Sequence, residues 1–150
     1  MTTVCWDGRS MAADKQSTLG NTPIPVVTPK IRRMIFNGES AIAGYSGTCT
    51  YAEAVLLWIE QGCQGIKPDK EKEDDSCSLM VATRHGVTYF GDRFIGDDLG
   101  NVQWAIGSGC DYALGAMGAG ASAKRAIEVA TRFDIQTGMG IDVLTLRKGK

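Results

Sequence analysis

The first residues that could do chemistry are the first two. Methionine followed by a small residue is normally removed, and here Met1 precedes Thr2. Removal would leave Thr2 with a free α-amine beside its own hydroxyl. Such a threonine holds a nucleophile and a base in one residue. The amine titrates at about 7.7–8.0, close to the working pH that a general base prefers. The rest of the inventory leaves room for this scheme. His85 is the only histidine, which argues against a zinc site with histidine ligands and against Ser-His-Asp or Cys-His chemistry. The five cysteines, Cys5, Cys49, Cys63, Cys77 and Cys110, are odd in number and include no C-x-x-C pair. They read as reduced, partly buried thiols. Gly107-Ser108-Gly109 invites a phosphate-loop reading, but Tyr112 stands where G-x-G-x-x-G needs glycine. Close helix packing explains it and the later glycines better.

These residues need a frame, and the chain spells one out. Residues 2–6 and 9–14 read as strands joined at Asp7-Gly8, and 31–36 and 41–45 as strands joined at Asn37-Gly38. Between the two pairs, residues 15–22 read as a polar loop, followed by prolines at 23, 25 and 29. Thr50 and Glu53 have capping-box spacing for a helix over 52–61, with Gly62 as its stop. Residues 62–77 are strongly polar and read as a solvated loop. Strands follow at 78–83, 87–90 and 102–106, the first two joined at His85-Gly86, then helices at 112–117 and 123–133 and a strand at 141–146. Runs of strands broken by runs of helices predict an α+β domain rather than an alternating parallel sheet.

Length and charge set the outer limits. At 150 residues, one domain over 1–150 is expected. A net charge of −1 argues against a dedicated nucleic-acid binder. No run of 18 apolar residues is present, so no membrane partner is expected. The start of the chain lacks the pattern of a signal peptide, and a cytoplasmic protein is the expectation.

A wider pattern joins these features. Thr2-Thr3-Val4, Ala12-Ala13-Asp14, Thr18-Leu19-Gly20-Asn21-Thr22 and Lys30-Ile31-Arg32-Arg33 occur in that order. Ala43-Gly44-Tyr45-Ser46-Gly47, Ala105-Ile106-Gly107-Ser108-Gly109, Asp134-Ile135-Gln136-Thr137-Gly138 and Gly140-Ile141-Asp142-Val143 complete the series. Together they resemble the proteasome β-subunit family, and most of all its bacterial HslV-type branch. The resemblance covers residues 2–61 and 102–146. It implies an N-terminal nucleophile (Ntn) hydrolase, a four-layer αββα sandwich of two antiparallel sheets, acting as a threonine endopeptidase on unfolded proteins.

The resemblance also implies roles. Thr2 is the nucleophile. Lys30 favours its alkoxide by a fixed positive charge, and Asp14 orients and balances that lysine. Gly47 offers a backbone N–H to the oxyanion. Ser108 stands near the amine, with Asp134 and Thr137 supporting it. Thr18, Gly44 and Tyr45 line the path of a peptide bound as an added strand. The family implies a homo-oligomeric ring, an AAA+ ATPase unfoldase as partner, and a monovalent cation, Na+, on backbone carbonyls near residues 133–139. No other cofactor is required.

One departure stands out. The family's second central helix has no counterpart between Gly62 and Ser78, which predicts reduced cover for Val55, Leu56 and Trp58 unless a neighbouring subunit supplies it. Two rivals share the fold: a catalytically silent ring or scaffold subunit with Met1 retained, and a hydrolase of small amides.

Overall fold

The computed structural model describes residues 2–147. The Asp7-Gly8 turn forms as its residues predict. Asp7 Oδ1 accepts from the N–H groups of Arg9 and Ser10 at 2.9 and 2.8 Å, and Gly8 takes φ +101°. This turn joins strands β1 (Thr3–Trp6) and β2 (Ser10–Asp14), with Cys5 opposite Ala12. A short hairpin follows, β3 (Gln16–Leu19) and β4 (Thr22–Val27). Then come β5 (Ile31–Phe36), β6 (Glu39–Gly47), helix α1 (Cys49–Glu60), β7 (Cys77–Thr83), β8 (Gly86–Phe90) and β9 (Gly96–Gly100). The chain closes with β10 (Trp104–Gly107), α2 (Cys110–Gly118), α3 (Ala123–Phe133) and β11 (Ile141–Thr145).

The strands form two main antiparallel sheets, ordered β10-β1-β2-β11 and β5-β6-β7-β8-β9, with the β3-β4 hairpin beside them. The sheets stack face to face. Helices α2 and α3 cover the outside of the first, and α1 covers the outside of the second. The architecture is therefore the expected αββα sandwich in three helices, and no helix lies between α1 and β7.

Strand alternation allots side chains to three layers of core. Val4, Trp6, Met11 and Ala13 meet Ile42, Met80 and Ala82 between the sheets. Cys5 and Ala12 point the other way, onto Ala113, Met117, Ala126 and Ile127 of α2 and α3. Ala43, Tyr45, Leu79 and Val81 face Ala52, Val55, Leu56 and Ile59 of α1. Strands buried on both faces explain apolar runs such as 79–82, which show no polar alternation. Each fully buried Leu, Ile or Val stabilises the fold by about 1.5–3 kcal/mol.

Four expectations need correction. Residues 15–22 do not form a loop: Gln16–Leu19 is a strand, paired with Thr22–Val27. Pro23 and Pro25 sit on a two-stranded ribbon, where a lost ladder donor is tolerated. Helix α1 begins at Cys49 with Thr48 at its N-cap rather than at a Thr50 capping box, because Glu53 bonds Arg32 at 2.6 Å instead. Residues 96–100 add a strand that was not expected, and the following strand starts at Trp104 rather than 102. Finally, Val55 and Leu56 are fully covered. Helical spacing turns Ala52, Val55, Leu56 and Ile59 inward, Tyr51 and Phe94 pack beside them, and it is Leu57 that stands 52% exposed. No helix of the described residues is long and apolar enough to cross a membrane.

Candidate active site

Thr2 lies immediately before β1, and its neighbourhood is fixed by close backbone approach. Its carbonyl accepts from Ser108 N–H at 2.9 Å. A Cβ at Gly107 would stand 1.6 Å from that same oxygen, and Gly107 has φ +98°. Only glycine allows the two segments to meet this closely.

The end of β2 and the residue before β5 bring Asp14 and Lys30 to the same point. Thr2, Asp14 and Lys30 are all buried. Lys30 Nζ lies 3.0 Å from Asp14 Oδ1 and donates to Gln16 O at 2.6 Å; its third acceptor is Thr2 Oγ1. All three ammonium donors are thus used. Asp14 Oδ1 also accepts from Thr3 N–H at 3.0 Å and from the Thr2 hydroxyl. Asp14 Oδ2 takes the N–H groups of Gly138 and Gln16, at 3.0 and 3.2 Å. Burial pulls the Lys30 pKa below its ordinary value, and the Asp14 carboxylate opposes that pull. The nucleophile candidate therefore sits on a buried ion pair whose members are otherwise saturated.

A second network flanks the first. Gly109 N–H donates to Thr3 Oγ1 at 3.0 Å, Thr3 and Thr137 hydroxyls lie 2.7 Å apart, and Thr137 Oγ1 donates to Asp134 Oδ2 at 2.5 Å. Since Thr137 gives its proton to Asp134, Thr3 must give its own to Thr137, and the chain runs in one direction. Ser108 Oγ donates to the same Asp134 oxygen at 2.6 Å, and Gln136 N–H reaches Oδ1 at 3.1 Å. Burial alone would raise the Asp134 pKa; the Ser108, Thr137 and Gln136 hydrogen bonds outweigh it and hold the carboxyl below its ordinary value.

Thr2 and Lys30 open onto a cleft of about 470 Å³. Gln16, Ser17 and Thr18 of β3 line it, with Tyr45 and Gly47 of β6 and the loop residues Asp74 and Ser76. Gly47 has φ +105°, and a Cβ there would lie 2.2 Å from Ser76 O, so the position demands glycine. The Tyr45 hydroxyl lies 3.2 Å from Cys49 Sγ and 3.3 Å from Pro29 O, and burial pushes its pKa up. Gly44 is placed elsewhere. It lies inside the sandwich, where a Cβ would meet Val4 Cγ1 at 2.7 Å and Met11 Sδ at 2.9 Å, and it does not line the cleft.

The structure thus gathers Thr2, Asp14 and Lys30 in one network and Ser108, Asp134 and Thr137 in its neighbour. Sequence reasoning missed Thr3, Gln16 and Gly138, which hold those carboxylates and the lysine. Gln16 and Gly138 act through their main chain toward Asp14 and Lys30, which leaves no side-chain signature. Thr3 carried a signal, a second hydroxyl one residue from Thr2. Met1 lies outside the described residues. Among the described residues, no group of three or more His, Cys, Asp or Glu could hold a metal ion.

No family model and no curated protein matches the chain by sequence. Solved structures do. Eukaryotic HslV from Trypanosoma brucei aligns at TM-score 0.70 and 21% identity, over 98% of this chain and 99% of that one. BPH from Thiobacillus denitrificans, also solved in complex with epoxomicin, aligns at TM-score 0.68 and 20% identity in both structures, over at least 96% of each chain. The helical assembly of the Anbu complex from Pseudomonas aeruginosa aligns at TM-score 0.67 and 14% identity, over 97% of this chain and 81% of that one. The likeness establishes the fold alone: the chain adopts the αββα sandwich of these structures.

Proposed function

We propose that the chain is a threonine-type peptidase subunit that cleaves peptide bonds of unfolded proteins with Thr2 once Met1 is gone. The observation that carries this reading is the Thr2 hydroxyl seated on the buried Lys30–Asp14 pair at a cleft. The freed α-amine of Thr2 takes the hydroxyl proton as Oγ1 attacks the substrate carbonyl. Lys30 keeps its charge beside the developing alkoxide, and Asp14 balances it. The carbonyl oxygen becomes an oxyanion facing the Gly47 N–H, a donor worth about 2.7–4 kcal/mol where such groups have been removed. Collapse of the tetrahedral intermediate breaks the C–N bond, and the protonated α-amine returns its proton to the leaving amine. The ester on Thr2 is then hydrolysed by water, activated by the same amine. The Asp134 network holds Ser108, whose N–H fixes the Thr2 carbonyl and so the position of the amine.

A monovalent cation near 133–139 belongs to the same reading. The carbonyls of Asp134, Ile135 and Gly138 each already accept one hydrogen bond, and Gln136 Oε1 is buried without a partner. Such an all-oxygen set suits a hard cation, which would brace the loop that carries Thr137.

We also propose a cytoplasmic homo-oligomeric ring fed by an AAA+ unfoldase, since a self-activated threonine on a free monomer would meet every protein. Leu57 is the large exposed apolar side chain on α1 for such a contact. Sedimentation of the wild type and Leu57→Glu tests it: a wild-type monomer at micromolar concentration removes the ring.

The peptidase test is direct. Intact mass shows whether Met1 is lost, and fluorogenic peptides are then offered to wild type and Thr2→Ala. The variant should fold and lose hydrolysis altogether, whereas residual wild-type turnover would sink the mechanism.

A further inference from the structure

We propose that Asp74 makes this cleft selective for peptides carrying a lysine or arginine side chain. The inference rests on the peptidase reading of the cleft and adds to it a substrate class. The 61–76 segment, standing where a helix was missing, is fastened to the cleft wall. Thr48 N–H donates to Ser76 O at 2.7 Å, and Ser76 N–H returns to Thr48 Oγ1 at 3.4 Å. Asp75 is buried, its Oδ2 accepting from Lys72 N–H at 2.9 Å. These anchors hold the intervening chain so that the exposed Asp74 lines the cleft with Thr2 and Gly47.

The charge inventory of the cleft then decides what Asp74 does. Two lining residues carry formal charge, Lys30 and Asp74. Lys30 is spent on Asp14, Thr2 and Gln16. Asp74 forms no ion pair among the described residues. The remaining lining is mainly hydroxyl, amide and backbone, which suits the main chain of an extended peptide but discriminates weakly among side chains. A cationic side chain reaching Asp74 gains an ion pair, and an anionic one meets repulsion.

The probes are matched peptides with a neutral fluorophore, differing at one position: lysine, its uncharged isostere norleucine, or glutamate. That position is moved along the peptide in turn. Each is measured for kcat/KM and, by fluorescence anisotropy, for Kd, on the full chain with Met1 removed. At one position, lysine should be preferred over norleucine by about fivefold at low salt, the scale of a partly exposed ion pair. Glutamate should fall below both, and the spread should shrink as salt rises. The lysine-to-norleucine ratio should fall to about one in Asp74→Asn, and in Asp74→Lys the glutamate peptide should be preferred over the lysine peptide. Glu71→Gln, a charge change in the same stretch away from the cleft lining, should keep the wild-type ratio. Equal binding of lysine and norleucine peptides at every position overturns the inference, as does a preference that survives Asp74→Asn or no binding at all. Charge-selective binding without cleavage would leave Asp74 in its role and remove the peptidase reading instead.

Discussion

Asp14 and Asp134 flank Thr2 and are held by different chemistry. Asp14 is sealed from solvent and faces a buried cation, with backbone N–H groups on both oxygens. Asp134 is half-buried at the end of α3 and makes no ion pair with a side chain among the described residues; two hydroxyls and one backbone N–H satisfy it. The difference separates two tasks. A buried ion pair places a fixed charge at the Thr2 hydroxyl, while a hydroxyl array sets the position of the segments around it. The first is intolerant of losing a partner, because a charge without its counter-ion stays buried. The second can lose one donor and keep the others.

The largest effect is therefore expected on the Asp14 side. Lys30→Met leaves Asp14 as an unpaired buried carboxylate and should cost about 3–5 kcal/mol in urea unfolding, with peptide hydrolysis lost. Lys30→Arg should not restore turnover, since a planar guanidinium cannot replace a compact ammonium with three acceptors around it. Wild-type turnover in Lys30→Arg would show that the charge, and not its placement, is what matters. Asp134→Ala should be milder, about 1.5–3 kcal/mol for hydrogen bonds to a charged group. Its signature would be a fall in kcat with the Lys30–Asp14 pair intact. If Asp134→Ala destabilises as much as Lys30→Met, the contrast between the two carboxylates is wrong.

Acid sharpens the same contrast. The folded-state pKa of Asp134 lies below its unfolded value. Between those two values the unfolded chain binds more protons, so stability rises with pH across the window. The contribution of Asp134 is complete above the ordinary carboxylate range and is lost as pH falls through the depressed value. Ser108→Ala removes one of the donors that depress it and should narrow the window. Urea midpoints of wild type and Ser108→Ala, compared across acid pH, measure this: parallel curves would mean that Ser108 contributes nothing to the charge on Asp134.

What the sequence shows of all this depends on where the determinant lies. Turns that need positive φ announce themselves, and Asp7-Gly8 and Asn37-Gly38 fall where they were expected, with Asn37 at φ 50° and Gly38 at 79°. The β3-β4 hairpin was hidden because Pro23 and Pro25 weigh against a strand, although an edge ribbon accepts them. Strand β9, Gly-Asp-Asp-Leu-Gly, has no strand-forming composition and exists by pairing with β8. Cover of Val55 and Leu56 was misread because it depends on which face of α1 meets the sheet. In the site, Thr2 carried a weak signal by itself, a hydroxyl beside an amine that loss of Met1 would free, and the wider pattern singled it out. Asp14, Lys30, Ser108, Asp134 and Thr137 were singled out by resemblance to a family pattern rather than by spacing, and the structure brings them together in two adjoining networks. Gln16 and Gly138 could not be read at all, since their bonds to Asp14 and Lys30 are main-chain bonds that any residue type could make.

The smallest expected effect is also the most discriminating. Thr137 Oγ1 both accepts from Thr3 and donates to Asp134, so it relays one hydroxyl chain to the carboxylate. Thr137→Ser keeps the oxygen and loses a methyl group, and should change stability by less than about 1 kcal/mol. Turnover should then stay within about twofold, because the relay is preserved. Thr137→Ala breaks the relay and leaves Thr3 Oγ1 without its acceptor, a buried donor whose loss costs about 1–3 kcal/mol. Its kcat should fall further than Thr137→Ser, while KM stays near wild type because Thr137 does not line the cleft. Steady-state kinetics on both variants separate the two roles of the side chain. Equal loss in Ser and Ala variants would mean that the methyl packing, and not the hydroxyl relay, holds this side of the site.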